Sequence, residues 1–368
     1  MKIKRYWPIW LPLTCLAQPR QPALHSPDLH PDRTVTFRLA APKAVEVRLT
    51  GDLVKAPVAL EKDEKGIWTV TLGPLQPDLY SYRFTVDGLT VTDPSNQARP
   101  ATALEVPGDG PMFYDLHPAP HGTIEERWYA SKTLDTTRRA YIYTPPNYEK
   151  SADRYPVLYL LHGAGSDDSA WTESGRAHLI LDNLMADGKL KPLVVVMPYG
   201  YAYPPTSPLA AGPDAMKRQR IGFERDLIED LIPFVQANYR VYADRDRRAI
   251  AGLSLGGGQA LGIGLSHTDL FSRVAGFSAA LGAVTSPQAG GLDFHTLVAD
   301  SKKVNGQLKL LWVGCGTDDT LYNSNQEFSE MLKASGVRHT FRSTQGAHTW
   351  LVWRRYLNEV APLLFPQS

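Results

Sequence analysis

Gly252-Leu253-Ser254-Leu255-Gly256 spells G-x-S-x-G, the spacing that sets a serine on a sharp turn between a strand and a helix. Five residues alone are a weak signal, so the flanks decide. Residues 248–251, Arg-Ala-Ile-Ala, read as a strand entering the turn, and residues 257–261 read as a helix leaving it. The glycines let backbone crowd the turn where Cβ atoms would clash. The Ser254 hydroxyl then sits at a helix N-terminus, where developing negative charge is favoured. The chemistry this predicts is nucleophilic attack on an acyl carbon, with Ser254 as nucleophile.

A serine hydroxyl attacks poorly until a base takes its proton. Four histidines follow Ser254 in the chain: His267, His295, His339 and His348. His267 ends the serine's own helix, too far along to reach back. His339 falls within a predicted strand at 337–341, and His295 lies in an irregular stretch and stays open. His348 is favoured, because it occupies a loop after the last strand and before the last helix, where this arrangement brings a base to the carboxyl edge of a sheet. The third member must orient the imidazole and stabilise its protonated form. Asp318 and Asp319 both leave the run 308–313, and spacing does not separate them. The order serine, aspartate, histidine is that of the α/β-hydrolases.

An acyl carbonyl under attack also needs donors for its oxygen. Leu255, the residue after the serine, is expected to supply one N–H. The other is assigned to Ala164 in His162-Gly163-Ala164-Gly165, which follows the apolar run 157–161.

These groups need a scaffold. Apolar runs at 157–161, 193–197, 249–252, 274–277 and 308–313 alternate with amphipathic stretches near 173–187, 222–238, 257–267, 323–335 and 350–364. Apolar strands between helices predict a mostly parallel sheet covered on both faces. Residues 27–107 differ. Short alternating runs there, such as Val35, Phe37 and Leu39 or Tyr80, Tyr82 and Phe84, are bounded by Gly, Pro or Asp and predict an immunoglobulin-like β-sandwich. The expected division is a leader at 1–17, a sandwich at 27–107, a linker at 108–123 and an α/β-hydrolase domain at 124–368.

The leader reading rests on Lys2, Lys4 and Arg5 followed by an apolar stretch ending at Ala17. It predicts secretion or a periplasmic location. No run elsewhere is long enough for a membrane span. With 39 basic and 38 acidic residues, the chain has no electrostatic bias toward nucleic acid or anionic membranes. Two cysteines cannot frame a disulfide scaffold. No His, Cys and Asp cluster has ligand spacing, so neither metal nor organic cofactor is expected. The partner is an ester substrate, small or polymeric.

Taken in order, His162-Gly163-Ala164-Gly165, Asp168 with Trp171, the helix at 223–239, Gly252 to Gly257, Cys315-Gly316-Thr317-Asp318-Asp319 and His348-Thr349-Trp350 resemble carbohydrate esterase family 1. That family includes feruloyl and acetylxylan esterases and is related to esterase D, mycolyltransferases and enterochelin esterases. The resemblance covers residues 124–366. It implies hydrolysis of hydroxycinnamoyl or acetyl esters of plant polysaccharide, with siderophore hydrolysis or acyl transfer as alternatives. It also selects Asp319 over Asp318, since the last Asp of the Cys-Gly-Thr-x-Asp stretch is the family's acid. Residues 27–107 resemble the early-set, glycogen-binding type of sandwich. Trp68, which alternates with Val70 and Leu72, is expected in the core rather than against a sugar. Trp350, Trp171 and Tyr203 are the expected substrate-binding aromatics.

Overall fold

The protein is described from a computed structural model, which covers residues 24–98 and 100–366. The expected leader at 1–17 lies outside the described residues.

The first part is a sandwich of two antiparallel sheets. One orders its strands as Asp28–Leu29, Val35–Ala40, Ile67–Leu72 and Glu61–Lys62. The other orders them as Val58–Ala59, Val47–Gly51, Asp78–Val86 and Leu89–Val91, with Ala103–Val106 also paired to Asp78–Val86. Alternation puts Val35, Phe37, Leu49, Tyr82 and Phe84 between the sheets. Trp68 joins that core, and its Nε1–H donates to the Ala41 carbonyl at 2.9 Å.

The second part is an eight-stranded sheet. We label its strands β1 (Thr123–Ser131), β2 (Thr136–Thr144), β3 (Val157–Leu161), β4 (Val194–Pro198), β5 (Arg248–Leu253), β6 (Arg273–Phe277), β7 (Leu310–Gly316) and β8 (Thr340–Thr344). The spatial order is β1-β2-β4-β3-β5-β6-β7-β8. β1, β2 and β4 pair antiparallel, and the remaining pairs are parallel. Strands β3 to β6 are buried along their whole length, as strands covered on both faces must be. One hydrophobic cluster fills the face under the helices Ala215–Arg225 and Ile232–Asn238, and another lies under Ala177–Ala186 and the C-terminal helix Trp350–Leu364.

Three local expectations are corrected. The last strand is Thr340–Thr344 rather than 337–341, so His339 precedes it and pairs with the Ser329 hydroxyl at 2.7 Å. The stretch near 173–187 breaks into Ala170–Glu173 and Ala177–Ala186, because Arg176 adopts φ 49°. The stretch near 222–238 begins earlier, at Ala215, and runs through a π-turn at Asp226–Leu231.

The two parts are joined by polar contacts from the C-terminal helix. Arg354, 1 % exposed, donates to Asp78 Oδ1 at 3.2 Å, to the Leu79 carbonyl and, at 2.9 Å, to the Ser174 carbonyl. Arg355 donates to the other Asp78 oxygen. Among the described residues no helix is long and apolar enough to cross a membrane.

Candidate active site

Strand β5 ends at Leu253 and the helix Ser254–Ser266 starts at once. The turn is tight enough to force Ser254 to φ 53°, left-handed backbone that costs an ordinary residue about 1–2 kcal/mol. Two glycines make the turn passable. A Cβ on Gly252 would stand 2.4 Å from the Gly256 carbonyl oxygen, and one on Gly256 would stand 2.4 Å from the His162 carbonyl oxygen. The strain and the close approach together raise the Ser254 hydroxyl above the carboxyl edge of the sheet.

His348 lies between β8 and the C-terminal helix. Its Nε2 is 2.9 Å from Ser254 Oγ and accepts from that hydroxyl, while its Nδ1–H donates to Asp319 Oδ2 at 2.8 Å. Asp319 follows β7, is 5 % exposed, and takes the Leu321 N–H on its other oxygen at 2.8 Å. Burial alone would raise the Asp319 pKa, but hydrogen bonds from His348, Leu321 and Ser278 hold it below the ordinary carboxylate value. Asp319 therefore stays ionised opposite the imidazole. Asp318 is exposed on the same loop and makes no such bond. Of the other histidines, His267 pairs with Glu224 at 2.8 Å and His295 is exposed on the short helix Phe294–Leu297.

The loop after β3 packs against this turn. A Cβ on Gly163 would stand 3.2 Å from Ser254 Cβ, so the peptide passes beside the serine. His162, 1 % exposed, fixes the loop: its Nδ1–H donates to the Gly163 carbonyl at 2.8 Å, and its Nε2 accepts from the Gly200 N–H at 2.8 Å. Burial pushes the His162 pKa down, which keeps the ring neutral as that pattern requires. Asp168 anchors the loop further along through a two-point ion pair with Arg139 at 2.6 and 2.7 Å. Among the described residues, the N–H groups of Ala164 and Leu255 donate to no other backbone group. Amides left free in this way can bind an oxyanion.

Sequence reasoning missed a supporting layer. Ser278, fully buried after β6 at φ 46°, lies beside the Asp319 carboxylate and helps hold its pKa down. Its Oγ accepts from Trp353 Nε1–H at 3.1 Å. The Trp353 ring also stands edge-on to the His348 ring, with centroids 4.8 Å apart. A lone serine and a helical tryptophan carry no motif that would have marked them.

Two hollows flank the row. On the Leu255 side is an apolar cavity of about 300 Å³, lined by Tyr201, Tyr203, Pro205, Met216 and Val284 among others. On the His348 side is an open cleft of about 1070 Å³ whose far wall is the sandwich, through Asp52, Leu53, Val54 and Leu75. Tyr203 thus lies where a substrate could meet it. Trp171 does not. Trp171 is 1 % exposed, with Nε1–H donating to the Leu161 carbonyl at 3.0 Å. Its ring fills the space between the sheet and the C-terminal helix, touching Phe277 and Trp350, and has no face left for a ligand. Trp350 is engaged edge-on with both Trp171 and Trp353 and lines neither hollow.

The strand order, the strained turn at the end of β5 and the Ser254, His348 and Asp319 row define an α/β-hydrolase fold. Residues 131–364 match the Esterase family, described as "Putative esterase", and the chain belongs to that family. It is 34% identical over 361 residues to the endo-1,4-beta-xylanase/feruloyl esterase of Xylanibacter ruminicola, a match covering 94% of this chain and 46% of the relative. It is 26% identical over 263 residues to the iron(III) enterobactin esterase of Escherichia coli, covering 69% of this chain and 60% of the relative. The chain spans about half the length of the curated relatives it matches most strongly. Among solved structures, a ferulic acid esterase aligns at 27% identity with a TM-score of 0.57, covering 67% of this chain and 98% of that one. The enterobactin esterase of Shigella flexneri aligns at 20% identity with a TM-score of 0.67, covering 90% of this chain and 92% of that one. That last likeness concerns the fold, and it extends over the sandwich as well as the hydrolase part. A ferulic acid esterase of carbohydrate esterase family 1 from Anaeromyces mucronatus aligns at 23% identity with a TM-score of 0.55, covering 68% of this chain and 95% of that one, a likeness of fold.

Proposed function

We propose that this protein is a carboxylic-ester hydrolase that works through a Ser254 acyl-enzyme and prefers esters of aromatic acids of the hydroxycinnamoyl class. The observation carrying the reading is the unbroken row Ser254, His348, Asp319, set beside an apolar cavity that begins at Leu255.

Ser254 Oγ bonds to the ester carbon as its proton passes to His348 Nε2. The Leu255 and Ala164 amides take the charge on the carbonyl oxygen, a pair of contacts of which each is worth about 3–4 kcal/mol in the transition state. The carbon–oxygen bond to the alcohol breaks, and the alcohol leaves with the proton from His348. Water then gives its proton to His348, attacks the acyl carbon and releases the acid, restoring Ser254. Asp319 remains ionised throughout and steadies the imidazolium.

The cavity supports an aromatic acyl group. At about 300 Å³ with tyrosine and methionine walls, it is far larger than an acetyl group requires. The open cleft on the His348 side suits a bulky alcohol such as a glycan, with the sandwich as its far wall. The basic start and apolar stretch at 1–17 support export of the protein. The test compares methyl ferulate with p-nitrophenyl acetate, using wild type and Ser254→Ala. The reading requires faster turnover of the ferulate by the wild type and loss of both activities in the variant. Equal rates in the two proteins would reject it.

A further inference from the structure

The turn that carries the Ala164 amide is weakly closed by its own bonds. Across residues 163–166, the Ser166 N–H reaches the Gly163 carbonyl only at 3.4 Å. Gly165, third in the turn, adopts φ 74°, while Ala164 keeps a negative φ, the pattern of a type II turn. Types I and II differ by rotation of the central peptide, here the one joining Ala164 to Gly165. What holds that peptide comes from outside the turn. The Gly165 N–H donates to the Tyr201 hydroxyl at 2.9 Å. His162, just ahead of the turn, accepts the Gly200 N–H at 2.8 Å. The His162, Tyr199 and Tyr201 rings also pack on one another, with centroids 5.8, 5.9 and 5.4 Å apart. One segment, residues 199–202 after β4, thus grips the oxyanion turn at both ends.

That segment is itself fixed by one guanidinium. Arg138 on β2, 6 % exposed, donates to the Tyr199 carbonyl at 2.6 Å, to the Tyr201 carbonyl at 2.6 Å and to the Ala202 carbonyl at 3.1 Å. Its Nε faces the fully buried Asp226 at 2.9 Å, which balances the charge. Loops are ordinarily the mobile part of a fold, and this one is tied down by a buried ion pair at three successive carbonyls out of four. A planar fork of donors can do this where a lysine ammonium cannot. We propose that the Tyr201 hydroxyl, set in place by Arg138, is a positioning residue for oxyanion binding: by holding the Gly165 N–H it stops the turn's central peptide from rotating and keeps the Ala164 amide aimed at the substrate oxygen. Tyr201 acts through the turn and does not touch the reacting carbonyl. The inference rests on the Ser254 acyl-enzyme reading above, with Ala164 as a donor.

The test is Tyr201→Phe in the full chain, which removes the acceptor and leaves the ring. Donors aimed at charge that develops during reaction act on the transition state and not on the bound ester. With p-nitrophenyl acetate, kcat is therefore expected to fall at least about fivefold, the effect of one hydrogen bond, while KM holds. Phenylboronic acid supplies a second readout. Its boron bonds to the Ser254 oxygen as the hydroxyl proton passes to His348, giving a four-coordinate anion that mimics the tetrahedral intermediate. Its Ki is expected to rise by the same factor as kcat falls, which a general loosening of the loop would not produce. Arg138→Lys keeps the charge beside Asp226 but spans fewer carbonyls, and is expected to show the same split. Unchanged kcat and Ki in Tyr201→Phe, where the boronic acid inhibits wild type, overturn the assignment and leave the acyl-enzyme reading intact. A rise in KM alone overturns it too, and makes Tyr201 a wall of the acyl cavity only. A wild type indifferent to the boronic acid, with activity kept in Ser254→Ala, overturns the acyl-enzyme reading and the assignment with it.

Discussion

Trp353 stands edge-on to the His348 ring, centroids 4.8 Å apart, while its Nε1–H donates to Ser278, whose hydroxyl helps hold the Asp319 pKa down. One residue of the C-terminal helix thus braces both the base and the acid. Trp353→Phe keeps an aromatic wall but removes the donor. Losing one hydrogen bond of this kind costs roughly 1 kcal/mol, so kcat is expected to fall about five- to tenfold with little change in KM. Ser278→Ala should do the same. A steady-state measurement in which KM rises and kcat holds would assign Trp353 to substrate binding instead.

Gly256 packs against the end of β3 with no room for a side chain. Its hypothetical Cβ meets the His162 oxygen at 2.4 Å and the Leu161 carbonyl carbon at 2.7 Å, both of them backbone atoms that cannot rotate away. Gly256→Ala should destabilise by about 3 kcal/mol, at the upper end for overpacking. Urea unfolding checks this, and an unchanged midpoint would show that helix and strand can separate freely.

Cys315 sits in β7 beside the Asp319 carboxylate. Burial, reinforced by that carboxylate, pushes its thiol up to about 12. The thiolate is the reactive form, so the native protein should leave Cys315 unalkylated by iodoacetamide at neutral pH. Peptide mapping should find it modified only after denaturation. Rapid labelling in the native state would mean that the loop after β7 opens.

His267 and Glu224 tie the helix of Ser254 to the helix Ala215–Arg225. The Glu224 hydrogen bond raises the His267 pKa above its ordinary value, against the opposing effect of burial. A raised histidine contributes stability that is complete below its unfolded pKa of about 6.5 and lost as pH climbs through the folded value. The stability gap between wild type and His267→Gln should therefore be larger near pH 5.5 than near pH 8.5. Thermal melts at the two pH values decide it, and a gap that grows with pH would contradict the sign.

The chemistry was more legible in the sequence than its support. Ser254 is marked by a local pattern, since strand, turn and helix must be contiguous for the strained φ to be held. His348 and Asp319 are marked by their place on loops leaving late strands. Spacing could not choose between Asp318 and Asp319, because side-chain direction on a loop depends on tertiary packing; the fold points Asp319 inward and leaves Asp318 in solvent. Trp171 misled for the same reason. An aromatic near a motif can face the cavity or the core, and here the indole faces the core, with its Nε1–H on the Leu161 carbonyl. β1 and β2 mix Glu, Arg and Thr with Trp, Tyr and Ile, so neither shows the long continuous apolar run by which the central strands were read.

In the proposed mechanism the acyl group passes through Ser254. The most direct measurement is rapid acid quench during turnover of p-nitrophenyl ferulate, followed by intact-mass and peptide analysis. A mass increase equal to one feruloyl group is expected, located on the peptide containing Ser254 and missing from Ser254→Ala. Feruloylation of a different residue, or full hydrolytic activity in Ser254→Ala, would contradict it.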